Sequence, residues 1–123
     1  VAYKLTYTEK PRFLHAIVTG SNSKETVREY LTDVLHECKS RGCSKVLIEE
    51  RLEGPRLEIN DVIEIASEGS NRAQGFYTAI AYVDVNAEGG LMTFAGSVAT
   101  HRGLPAETFP TVEAAERWLN SIE

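Results

Sequence analysis

Along residues 2–8 apolar and polar side chains alternate: Tyr3, Leu5 and Tyr7 take one side, Lys4, Thr6 and Thr8 the other. A period of two predicts a half-buried β-strand. Lys10-Pro11 predicts a turn. Phe13–Thr19, apolar on both faces, predicts a second strand joined to the first as a hairpin. The period then changes. Gly20-Ser21-Asn22-Ser23 leads into Val27, Tyr30, Leu31, Val34, Leu35 and Cys38 at helical spacing. Asn22 and Glu25 stand as a capping box, and Arg41-Gly42 as a helix stop.

Lys45–Glu50 predicts a third strand, and the run Val46-Leu47-Ile48 suits a strand covered on both faces. A helix from about Asn60 to about Gly69 follows, with Ile59, Val62, Ile63 and Ala66 inward. Phe76–Val85 predicts a fourth strand. Leu91, Phe94, Ala95 and Val98 predict a helix that stops at Gly103. Leu104–Phe109, interrupted by Pro105, predicts a short edge strand. Pro110-Thr111 caps a last helix with Ala115, Trp118, Leu119 and Ile122 inward. The order β-β-α-β-α-β-α-β-α implies an α/β single domain over residues 1–123. Its sheet is mixed but mainly parallel, with flanking helices and one antiparallel strand at the start. Leu31, Val34, Leu47, Ile48, Ile80 and Val83 are the expected fully buried core.

Composition narrows the function. The 42% hydrophobic and 25% charged residues are those of an ordinary soluble globule. A net charge of −5 argues against a nucleic-acid partner, which needs clustered Lys and Arg. No apolar run reaches membrane-spanning length, and no secretory leader is expected, since no basic stretch precedes an apolar run with a small-residue cleavage site. Cys38 and Cys43 lack redox or metal spacing. They are expected to be reduced, in a cytoplasmic protein.

Candidate chemistry is sparse. His15, His36 and His101 form no zinc pattern, so neither metal nor cofactor is expected. The glycine-bearing stretches "GSNSKETV" and "NAEGGLM" match no phosphate-binding fingerprint. The carboxylates are the better candidates. Glu49 and Glu50 are expected to end the third strand and Asp84 the fourth, which would gather them at the carboxyl edge of a parallel sheet. Glu50, Arg51, Glu53 and Arg56 surround the Gly54-Pro55 turn, and Glu58 and Asp61 stand near the start of the next helix. This is expected to be a mixed-charge binding surface on a loop.

Four stretches carry a resemblance to a known family: "VTGSNSKETVREYLTDVLHEC", "KVLIEERLEGPRL", "AYVDVNAEGGLMTFAGSVATHRG" and "FPTVEAAERWL". Together, over about Tyr3 to Leu119, the chain resembles the small bacterial SpoIIAA-like proteins, described as STAS/SEC14 domain-containing. The resemblance implies a SpoIIAA-like, STAS-type fold and a non-enzymatic regulatory or binding module with a protein partner. In anti-sigma-factor antagonists of this type, a serine at the start of the helix after the third strand is phosphorylated to switch docking off. Here that segment reads Leu57-Glu58-Ile59-Asn60-Asp61-Val62 and holds no hydroxyl. The switch serine therefore has no counterpart, and the surface is expected to be permanently acidic. The alternatives are a carrier of a small or hydrophobic ligand, a small enzyme using the carboxylates at the sheet edge, or a homodimer without further chemistry.

Overall fold

A computed structural model describes residues 3–54, 57–73, 75–85 and 105–122. In chain order these form β1 (Tyr3–Glu9), β2 (Leu14–Ser21), α1 (Lys24–Arg41), β3 (Lys45–Glu53), α2 (Ile59–Ala73), β4 (Ala79–Asp84), β5 (Ala106–Thr108) and α3 (Val112–Ser121). The five strands make one sheet in the order β1-β2-β3-β4-β5. β1 runs antiparallel to β2, and every later neighbour pair is parallel. This is an α/β fold with a mixed, mainly parallel sheet. The helix expected over Leu91–Val98 and the stop at Gly103 lie outside the described residues, as do His101 and Arg56.

Among the described residues the sheet is covered unequally. One face packs Leu14, Ala16, Val18, Val46, Ile48, Leu52 and Ile80 against Val27, Tyr30, Val34 and Cys38 of α1 and Ile65 of α2. The opposite face packs Phe13, Leu47, Ala79, Ala81 and Val83 against Ala115 and Leu119 of α3. Because side chains alternate along a strand, consecutive residues of β3 serve opposite cores.

Local chemistry explains the helix ends. Ser23 is the N-cap of α1, and its hydroxyl accepts from Thr26 N at 3.1 Å. The expected Asn22 cap is not used. Asn22 N instead donates to Glu53 O at 2.7 Å, which ties that residue to the end of β3. Gly42 takes the left-handed conformation (φ 67°) after α1, where a Cβ would be strained. Gly42 N donates to Lys39 O and Cys43 N to Cys38 O, the paired bonds of a Schellman stop. Thr111 caps α3 as expected. At the other end of α3, Arg12 donates to Asn120 O (3.2 Å) and Lys45 to Ile122 O (2.7 Å). Two cations thus satisfy the carbonyls at the negative end of that helix.

Several expected boundaries move. β4 begins at Ala79, and Phe76 and Tyr77 precede it as an edge-to-face pair (5.3 Å) packed on the core. β5 is only Ala106–Thr108. α2 runs past Gly69 to Ala73, and its buried residues include Ile65 and Ala73, while Val62, Ile63 and Ala66 are half-buried. Gly69 has no left-handed φ, so it passes through the helix at the cost of propensity alone. Leu31 is half-buried, whereas Val34, Leu47, Ile48, Ile80 and Val83 are buried as expected.

Two buried carboxylates on opposite faces of one strand

The largest departure is in β3. Glu49 and Glu50 do not end the strand: it continues to Glu53, paired with β2 up to Ser21, and Leu52 is fully buried. The residues expected on a loop, Glu50, Arg51 and Glu53, are strand residues. Glu49 and Glu50 are 5% and 3% exposed. An ionised carboxylate in such a place needs partners or a proton.

Glu49 faces the α3 side. His15 of β2, itself 8% exposed, places Nε2 2.8 Å from Glu49 Oε1. With the carboxylate accepting, that ring nitrogen carries the proton. Arg51, two residues along the same face, donates from Nε to Glu49 Oε2 while half its side chain reaches solvent. Each oxygen of Glu49 therefore meets a nitrogen donor.

Glu50 faces the α1–α2 side, between Val18 of β2 and Asp84 of β4 in register. Tyr30 of α1 and Tyr82 of β4 both donate to its Oε2. The two phenol oxygens are 3.2 Å apart. No cation is among these partners. Burial pushes the Glu50 carboxyl up to about 7. The two phenolic hydrogen bonds oppose that shift, and the neighbouring Asp84 charge and its hydrogen bond add to it. Burial and the Glu50 charge push both tyrosines well above their ordinary range. Among the described residues, every buried side-chain nitrogen or oxygen has a hydrogen-bond partner.

The structure thus joins Glu50 to Asp84, as parallel neighbouring strands require, and Glu49 to Arg51. It does not gather the other candidates with them. Glu53 and Glu58 are exposed. Asp61 is drawn towards α1, with Lys24 Nζ at 3.5 Å. Lys24 also pairs with Glu64 (2.6 Å), and Arg28 with Glu64 (3.3 Å) and Glu68 (3.0 Å), so the acids of α2 serve the α1–α2 seam. His15, Tyr30 and Tyr82 complete the buried sites, although pattern reading places Tyr30 and Tyr82 simply in the apolar core. The one local signal for His15 is a polar ring inside an otherwise apolar strand.

Among the described residues no group of three or more His, Cys, Asp and Glu could hold a metal ion. No described helix is long and apolar enough to cross a membrane. Cys38 is buried, its thiol pushed up to about 12 by that burial, which disfavours the reactive thiolate. No protein-family model matches this chain, and no curated protein matches it.

Proposed function

We propose that this protein is a non-enzymatic binding or regulatory module of the STAS type, with a SpoIIAA-like fold, acting on a protein partner in the cytoplasm. The observation that carries this reading is the division of charge along β3 and into α2. Glu49 and Glu50, the carboxylates best placed for chemistry, are enclosed and bonded to the chain's own side chains. Glu53, Glu58 and half of Arg51 face solvent, where a partner can reach them. A general acid or base must lie within hydrogen-bond reach of its substrate. Neither buried acid offers that as it stands. The absence of a hydroxyl from Leu57 to Val62 makes the exposed surface constitutive, with no kinase-operated release.

The test is a quantitative capture from native lysate with wild-type protein and a Glu53→Lys/Glu58→Lys variant. Both residues are exposed, so the variant is expected to melt as the wild type does and to lose the captured partner. Retention of every partner at wild-type affinity would overturn the reading. The carrier or small-enzyme alternative draws on the raised Glu50 carboxyl, since perturbed acids concentrate at functional sites. Carbodiimide labelling of the native protein near pH 6 separates the two. Glu50 left unlabelled while Glu53 and Glu58 react supports the binding module, and rapid labelling of Glu50 supports a ligand-accessible site.

A further inference from the structure

The outer edge of β1 has a geometry that selects its own partner. Among the described residues, β1 is seven residues long, forms one end of the sheet, and pairs with β2 without a bulge from Tyr3↔Gly20 to Glu9↔Leu14. Edge strands of this length are usually blunted by proline, a bulge, brevity or several charges, and β1 carries only two charged residues, Lys4 and the terminal Glu9. By contrast, β5 at the other end is three residues long and follows Pro105.

The hairpin fixes which backbone groups of β1 remain open. Lys10 N donates to Phe13 O at 2.9 Å, so this pair is a hydrogen-bonded one. Antiparallel pairs alternate, so Thr8, Thr6 and Lys4 turn their backbone groups towards β2. The backbone groups of Tyr3, Leu5, Tyr7 and Glu9 point outward. An incoming antiparallel copy of β1 must match outward residues with outward residues. That condition leaves only registers with a two-fold axis perpendicular to the sheet, which keeps both α1 helices on one side.

We propose that β1 pairs antiparallel with β1 of a second copy of this chain, with Thr6 on the two-fold axis, to make a continuous ten-stranded sheet. In this register all seven residues of β1 are paired. Leu5 faces Tyr7 of the second copy and Tyr7 faces Leu5, an aliphatic–aromatic match made twice. These residues pack on the α1-side core, so the two cores become continuous. On the other side Lys4 faces Thr8, and no like charges are directly opposed. A shift one way, placing Leu5 on the axis, pairs only five residues within the strand. The opposite shift, placing Tyr7 on the axis, sets Lys4 against Lys10. The pairing is a C2 interface, in which one patch serves both copies.

Thr6 and Thr8 are exposed, so substitutions there report on pairing with little effect on the fold. Light scattering of the wild-type protein at tens of micromolar is expected to give a dimer mass. Thr6→Lys places two cations against each other on the axis, and is expected to give a monomer with an unchanged circular-dichroism spectrum. Thr6→Cys is expected to cross-link into a covalent dimer under mild oxidation. Its two copies form a non-hydrogen-bonded pair with Cα atoms about 4.5 Å apart, within the span of a disulfide. Thr8→Cys is the control, because its two copies lie about 13 Å apart along the strands. A wild-type monomer, a dimer that survives Thr6→Lys, or cross-linking of Thr8→Cys as fast as Thr6→Cys would each overturn the pairing. A strand from an unrelated partner would appear as the first of these outcomes.

Discussion

On the α3 face of β3, Glu49 meets an imidazole and a guanidinium; on the α1–α2 face, Glu50 meets two phenols and a second carboxyl. The two acids are adjacent in sequence and almost equally buried. Their surroundings solve the cost of a buried acid in opposite ways. Glu49 is supplied with nitrogen donors, one of which reaches water and carries a permanent charge. Glu50 is supplied with neutral donors and an acidic neighbour, so it keeps a proton up to about pH 7. Burial raises the Glu50 carboxyl, and among the described residues its hydrogen-bond partners are neutral phenols and an acid, with no cation to offset that burial.

The largest expected effect breaks the Glu49 side. His15→Ala removes a buried partner from a buried carboxylate and leaves a cavity, and should cost ~3–5 kcal/mol in a urea melt. Converting both His15 and Glu49 to leucine should recover most of that loss, because no buried charge remains. A loss below half a kcal/mol for His15→Ala would show that Arg51 alone satisfies Glu49.

Next comes the pH dependence of the Glu50 side. The folded carboxyl is raised from its ordinary 4.5 to about 7, so the unfolded chain gives up this proton first. Its contribution to stability is full below pH 4.5, falls as pH rises towards 7, and is flat above. The span is ~3 kcal/mol, from 1.36 kcal/mol per unit. Glu50→Gln should be nearly neutral at pH 4 and stabilising by up to ~3 kcal/mol at pH 8, as read by denaturant melts at both. Equal effects at the two pH values would mean that Glu50 ionises normally in the folded protein.

Tyr82→Phe sharpens the same point. Removing one donor to the ionised carboxylate should cost ~2 kcal/mol at pH 8 and less at pH 4, and should move the Glu50 titration further upward. The smallest effect is expected from Arg51→Ala. Its side chain is half exposed, so the loss should stay within ~1 kcal/mol. The asymmetry between His15 and Arg51, two partners of one carboxylate, tests whether burial sets the strength of each contact.

Regular local patterns were legible from the chain. The alternation in β1, the stripe of α1 around Val27, Tyr30, Val34 and Cys38, the Gly42 stop and the Thr111 cap all depend on residues within a few positions of one another. The parallel direction of β2, β3 and β4 was legible from the helical spacing between them, whereas the order of the strands in the sheet was not. The choice of Ser23 over Asn22 as the cap was not legible, since both are good N-cap residues side by side, and the tie of Asn22 N to Glu53 O lies far away in sequence. Nor was the burial of Ile65, since the face of α2 is set by where α1 lies.

The charges of β3 mark the boundary between the two kinds of information. By itself the sequence determined a strand through Val46-Leu47-Ile48 and an acidic run after it, and a local rule ends a core strand at such a run. Only the tertiary structure carried β3 on to Glu53, because the partners that make Glu49 and Glu50 admissible inside are far away in sequence. His15 is 34 residues from Glu49, and Tyr30 and Tyr82 are 20 and 32 residues from Glu50. The solvation cost of a carboxylate is a local property of its residue. The groups that offset it are brought within hydrogen-bond distance by strand register and helix packing, which no short window of sequence contains.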